Sequence, residues 1–379
     1  MQRFNIIITY FLDGRALAQR WRALLRAAVI FALCCSILWS AGPAFAAQSL
    51  LDIVEKPLGT SSPAGPIPAT VNDITKASTS SGLPLAYDAW IYPDAPGVAR
   101  ILQGTQRFNA LKAEYLHVND DGTLAQINQD DSNPNGYSET NVALLKSSSA
   151  EQYITVSGNL DGTTIAMQNA ETTINTMATL ANKTGFGIEL DWEDFGQWSP
   201  AYYQTFKGFL QKLGSRLHAD GHKLMLDGPP IYDANSQGWY QWKYEELAPL
   251  SDYIVMMAYD NQYDNGVGSA ISPHDWLLGC LNWLHAKAGD KGIAGIAANG
   301  YTGNGDTGRI TDNDSGSLLR RAFSALSITR NAEGELTAWV GSTFYDYSDS
   351  TTLDMRRRAV EQSGLPRLSV WSLGNNPWF

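Results

Sequence analysis

Cysteine is almost absent. Of three in 379 residues, Cys34 and Cys35 lie near the N-terminus and Cys280 stands alone. A single cysteine forms no internal disulfide, so Cys280 reads as a buried core residue. Histidine is scarce as well, with five in all, and no Cys/His cluster has metal-ligand spacing. That argues against a zinc site, and neither a metal nor a cofactor is expected. Basic charge is short: 27 Lys and Arg against 38 Asp and Glu give a net charge of −11. A surface of that sign argues against nucleic acid, anionic lipid and other polyanions as partners. Nor is there an apolar run fit to span a bilayer near the N-terminus, because Ala27 to Trp39 falls short of the ~20 residues required.

What that N-terminal stretch does have is the layout of an export signal. Arg15, Arg20, Arg22 and Arg26 precede the apolar run, and Ala44-Phe45-Ala46 follows as an A-x-A cleavage signal. Residues 1–46 therefore read as a signal peptide of an exported, periplasmic or extracellular protein with no stable membrane insertion. The segment carries five arginines and one aspartate, so its removal moves the net charge from −11 to −15. Residues 47–82 are rich in Pro, Ser, Thr and Gly and read as a flexible leader.

From residue 83 to 379, strand-like and helix-like stretches alternate. Strands are expected at Leu85–Tyr92, Tyr115–Val118, Tyr153–Val156, Gly185–Glu193, Leu224–Leu226, Tyr253–Met257, Gly295–Ala297 and Leu368–Trp371. Helices are expected at Gly97–Leu111, Thr164–Asn182 and Leu353–Gln362, with another opened by Ser199-Pro200 and stopped at Gly221. Eight strands with intervening helices predict an α/β fold, a (β/α)8 TIM barrel with its site at the strand C-termini. The Gly-, Asn- and Asp-rich segment 300–334 predicts a long loop over the barrel mouth.

One stretch is chemically unusual. In Gly185-Phe186-Gly187-Ile188-Glu189-Leu190-Asp191-Trp192-Glu193, an apolar run is interrupted at every second position by a carboxylate. On a strand these three acids share one face. Like charges stacked on one face are costly unless they line a polar cavity, and their repulsion raises the pKa of at least one. Two more strand ends carry site-like residues, Met256-Met257-Ala258-Tyr259-Asp260 and Val370-Trp371-Ser372-Leu373-Gly374.

Together these ends resemble glycoside hydrolase family 18, the chitinase-like family, whose fourth, sixth and eighth strands read D-G-x-D-x-D-x-E, M-x-Y-D and W-S-L. The stretch Leu365 to Asn375 is most similar to the bacterial branch of spore-cortex, cell-wall lytic and polysaccharide-processing enzymes. The resemblance implies a retaining, substrate-assisted glycosidase in which the substrate's own N-acetyl group attacks the anomeric carbon. It assigns Glu193 as general acid/base and Asp191 as the carboxylate orienting the acetamido group. It gives Tyr259 the acetamido oxygen, Asp260 a polar place beside it, and Trp371 the aromatic floor. Phe186 and Glu189 stand where the family has its first two aspartates, both expected in the barrel interior. Trp198, Trp239 and Tyr263, which follow strand ends, are further sugar-subsite candidates. A polysaccharide containing N-acetylhexosamine is the expected partner and a monomer the expected state. Two other readings stand beside this one: a lectin-like barrel that binds glycan without cleaving it, and a phosphodiesterase using Glu189, Asp191, Glu193 and Asp260 around a divalent metal.

Overall fold

Strands flanked by glycine or by capped helices alternate with those helices along much of this chain and build one main parallel sheet. The computed structural model describes residues 85–104, 107–322 and 327–379, without the side chains of 319–322. The signal-peptide and leader readings lie outside the described residues. Eight parallel strands close a barrel: β1 (Ala86–Ile91), β2 (Phe108–Val118), β3 (Ser149–Gly158), β4 (Gly187–Trp192), β5 (Leu224–Gly228), β6 (Tyr253–Met257), β7 (Gly292–Ala297) and β8 (Arg367–Trp371). Each pairs with the next, and closure is made by β1, which lies between β2 and β8. The (β/α)8 expectation therefore holds. No helix among the described residues is long and apolar enough to cross a membrane.

Local signals explain the elements that aim β4. The helix Ala170–Thr184 stops at Gly185, whose φ of 75° is adopted most readily by a residue without a Cβ, and β4 begins two residues on. After β4, the Ser199 hydroxyl accepts from the Tyr202 amide and Pro200 opens the helix Pro200–Ala219. Its inner face, including Phe206, Leu210 and Leu213, is buried against the outside of the barrel.

Three expectations are corrected. The helix expected over Gly97–Leu111 covers only Val98–Leu102, and β2 starts at Phe108. Val98, Ile101 and Leu102 have helical spacing, but from Ala110 the pattern alternates, sending Ala110 and Lys112 into the barrel. The helix expected over Thr164–Asn182 is two, Leu160–Gln168 and Ala170–Thr184, divided at Asn169. The segment 300–334 is not a loop. Gly300–Asn304, Ile310–Asn313, Thr329–Arg330, Leu336–Val340 and Thr343–Tyr347 form a separate five-stranded antiparallel sheet inserted between β7 and the helix Ser350–Ser363. Its turn-rich composition reflects tight connections between short strands, which composition alone does not separate from a loop. A buried Glu335–Arg356 ion pair fastens it: Glu335 also accepts from the Ile271 and Ser272 amides, and Arg356 donates to Ala297 O at the end of β7.

Candidate active site

Alternation along β4 points Glu189 and Asp191 into the barrel, and Glu193 continues the same face just beyond the strand end. The three acids then meet different surroundings. Glu189 is fully buried and held by the Lys112 ammonium at 2.7 Å, by the Trp90 indole N–H at 3.1 Å and by the Thr155 hydroxyl. Lys112 also lies 3.1 Å from the centroid of the Trp90 ring. Glu189 does not line the cavity at the barrel mouth. It is therefore not placed to touch a substrate, correcting its assignment, and serves instead as the buried counter-charge of Lys112.

Asp191 stands one layer higher. Its Oδ1 is buried without a hydrogen-bond partner among the described residues. Burial, and then the charges of Glu193, Glu189 and Glu114, hold its carboxyl well above the usual range, with Lys112 opposing. Glu193 is exposed at the rim, and the burial that raises a carboxyl on this face acts on Asp191. Its backbone is fixed on both sides: its N–H donates to Gly158 O at 3.2 Å, and its carbonyl accepts the Trp198 indole N–H at 2.9 Å. Asp194, next in the chain, has φ 59°, and Asp260, beyond β6, has φ 69°. Both are left-handed conformations that non-glycine residues take at some cost.

Around the acids, the ends of β6 and β8 supply the rest. Tyr259 is 5% exposed and its hydroxyl has no hydrogen-bond partner among the described residues. Burial, then the charges of Asp260 and Asp191, keep that phenol protonated and so able to donate. Trp371 stacks with Tyr259 at 6.4 Å and 22°, and meets Trp90 and Tyr92 edge-on. Asp260 is pushed up to about 7 by burial and by Asp312, with Glu193 adding to it.

Of the nine site residues expected from sequence, Asp191, Glu193, Tyr259, Asp260, Tyr263 and Trp371 line one cavity of about 560 Å³ at the C-terminal end of the barrel. Trp239 does not; it is 56% exposed and lines an adjoining groove of about 840 Å³. Trp198 is no sugar platform. It is 4% exposed, packed among Phe195, Tyr202, Phe206 and Trp242, and its polar edge holds the Glu193 carbonyl. Trp198→Phe should cost about 1–3 kcal/mol in denaturant unfolding and lower kcat with little change in KM. A rise in KM alone would restore the platform reading.

Phe186 is also corrected. It sits three residues before Glu189, hence on the opposite face, and stacks on Tyr115 outside the barrel at 6.5 Å. No interior acid is lost by its presence.

Sequence reasoning missed Asp312, which comes from the inserted sheet and accepts the Tyr263 hydroxyl at 2.8 Å. It also missed the buried Lys112 and Asp227. Asp227 ends the apolar run of β5, the same signal that marked Tyr259-Asp260, and was legible. Its oxygens have no donor among the described residues, and burial, followed by the charge of Glu189, holds its carboxyl well above the usual range. A raised folded-state value stabilises the fold below the unfolded value of ~3.9 and is lost as pH climbs toward the folded value. Stability should therefore fall as pH rises above ~3.9. Asp227→Asn should flatten that slope in urea titrations across pH, and an unchanged slope would show that Asp227 does not drive it.

Among the described residues no group of three or more His, Cys, Asp or Glu side chains is arranged to hold a metal ion. No family model matches the sequence, and no curated protein matches it. Solved structures do match. A class V chitinase from Pseudomonas fluorescens Pf-5 aligns over 77% of this chain and 96% of its own, with 21% identity and a TM-score of 0.64. The Bacillus cereus spore cortex-lytic enzyme SleL aligns over 78% of this chain and 72% of its own, with 16% identity and a TM-score of 0.63. A class V chitinase from Nicotiana tobaccum in complex with NAG4 covers 77% of this chain and 95% of its own, with 17% identity and a TM-score of 0.56. At such identities the likeness is one of fold: the chain shares its barrel with chitinase-like proteins, the kind its three strand-end motifs resemble.

Proposed function

We propose that this protein is a retaining, substrate-assisted glycoside hydrolase acting on an N-acetylhexosamine polymer outside the cytoplasm, as a monomer freed of residues 1–46. The observation that carries the reading is the convergence of Asp191, Glu193, Tyr259 and Trp371 in one cavity at the mouth of the barrel. The residue types suit the chemistry. Trp371 offers a flat apolar floor for the C–H face of a sugar. The Tyr259 hydroxyl and Asp191 Oδ1, both buried without partners among the described residues, can take the acetamido oxygen and N–H respectively.

In that pose Glu193 gives its proton to the glycosidic oxygen as the bond to the anomeric carbon breaks. The acetamido oxygen closes on that carbon from the other face, forming an oxazolinium ion whose positive charge Asp191 stabilises. A water then opens the ring, returning a proton to Glu193 and giving a product of retained configuration. No second carboxylate has to attack carbon.

The test is release of reducing ends from peptidoglycan, partly deacetylated poly-N-acetylglucosamine and chitin oligomers, by the wild type and Glu193→Gln, with and without chelator. Cleavage that needs Glu193 and ignores chelator is expected. Glycan binding without turnover would favour a lectin-like barrel, and loss of activity with chelator the phosphodiesterase-type reading.

A further inference from the structure

Among the described residues, the cavity is lined by six carboxylates, Asp191, Glu193, Asp194, Asp260, Asp264 and Asp312, and by no lysine, arginine or histidine. The adjoining groove shares Tyr240, Asp264 and Trp276 with it and adds Asp275, again with no basic side chain. Hydrolysis needs only Asp191 and Glu193. Several acids elsewhere do have bases beside them, whereas no described base lines this cavity: Glu246 has Lys207 and Lys243, Asp354 has Arg357 and Arg358, and Asp349 has Arg330.

A second observation points to a ligand at the same place. The Tyr259 hydroxyl and Asn299 Oδ1 belong to residues 5% and 7% exposed, both line the cavity, and neither has a hydrogen-bond partner among the described residues. A buried polar group left alone costs about 1–3 kcal/mol, so this wall is shaped for a polar guest. That guest has to suit a field of one sign.

We infer that the cavity and its groove take a partly deacetylated hexosamine polymer, with an N-acetylated sugar over Trp371 and free, cationic amino sugars along Asp260, Asp264, Asp275 and Asp312. The placement of the acetylated sugar rests on the glycosidase reading; the cationic character rests on the wall alone. An ammonium between carboxylates makes charge-assisted hydrogen bonds and relieves their mutual repulsion. Asp260, held up to about 7 by burial and Asp312, is a site of such repulsion. A cleft lined by one charge also draws in a ligand of opposite charge, an effect that fades with added salt. Glycans bearing carboxylates are disfavoured by the same field.

The experiment compares chitin oligomers with the same oligomers after partial deacetylation, at neutral pH and low ionic strength. The partly deacetylated chains should be cut with at least tenfold higher kcat/KM, leaving N-acetylated new reducing ends, and the advantage should collapse in high salt. Asp264→Asn combined with Asp275→Asn should bring the ratio toward one. Equal or faster cleavage of the fully acetylated oligomers, or a ratio indifferent to salt, would overturn the inference. Calorimetry of Glu193→Gln with glucosamine oligomers decides it independently of turnover. Salt-sensitive binding supports the inference even where the wild type cuts nothing, an outcome that would sink the hydrolase reading only. Absence of binding at low salt overturns the inference even where chitin is hydrolysed.

Discussion

Glu193→Gln should lower kcat on an N-acetylhexosamine polymer by roughly 10³-fold while leaving KM within a few-fold, since a positioned general acid contributes about 10²–10⁴. The amide keeps the size and polarity of the side chain but has no proton to give to the leaving oxygen. Glu193 is exposed at the rim, so the substitution should not disturb folding, and an unchanged melting temperature separates lost chemistry from lost structure. A substrate whose leaving group needs no protonation, such as an activated aryl glycoside, should recover much of the first step. Full activity of Glu193→Gln on the polymer would remove Glu193 from its role and with it the reading of the whole cavity.

The second large effect is expected from a residue that touches no substrate. Lys112 is the cation beside Glu189 in the barrel interior, and both are fully buried. Lys112→Met leaves Glu189 as a buried charge with the Trp90 and Thr155 donors and the Asp227 carboxyl beside it, but no cation. Breaking a buried pair from one side costs about 3–5 kcal/mol, which urea unfolding would read directly. Adding Glu189→Gln removes the stranded charge, so the double variant should be more stable than Lys112→Met alone, giving a coupling of opposite sign to additivity. A merely structural role predicts no more than that. Lys112, however, also opposes the upward push on Asp191, so its removal should carry the acid limb of kcat/KM to higher pH. An acid limb that stays in place in a folded Lys112→Met enzyme would confine Lys112 to stability.

Both expectations trace to β4, the element most open to reading from sequence. Glu189, Asp191 and Glu193 share a face because a strand alternates, which is a property of the backbone and needs no tertiary information. The same rule places Phe186 on the other face, so the residue that looked like a lost acid is a packing residue against Tyr115. The Ser199-Pro200 opening and the Gly185 stop are equally local, and the helices begin and end where they indicate. The eight barrel strands could be counted from apolar runs punctuated by helices, because each run must be buried on both sides of a parallel sheet.

What the chain by itself determined, then, is the set of elements, the acid-bearing face and the strand ends that bear Tyr259 and Trp371. The tertiary structure decided which acids meet water and which meet a cation. Closure of β1 against β2 and β8 brings Trp90 and Lys112 onto Glu189, residues 99 and 77 positions away along the chain. It decided that Trp198 is core and Tyr263 cavity wall, though both follow strand ends, because a loop residue's surroundings come from neighbouring loops and not from its own backbone. It also paired Gly300–Asn304 with the sequence-distant Thr343–Tyr347 in a sheet whose strand Ile310–Asn313 delivers Asp312 to the rim. Alternation and capping act over a few residues and are written in the sequence; burial and charge pairing arise only when distant residues are brought together.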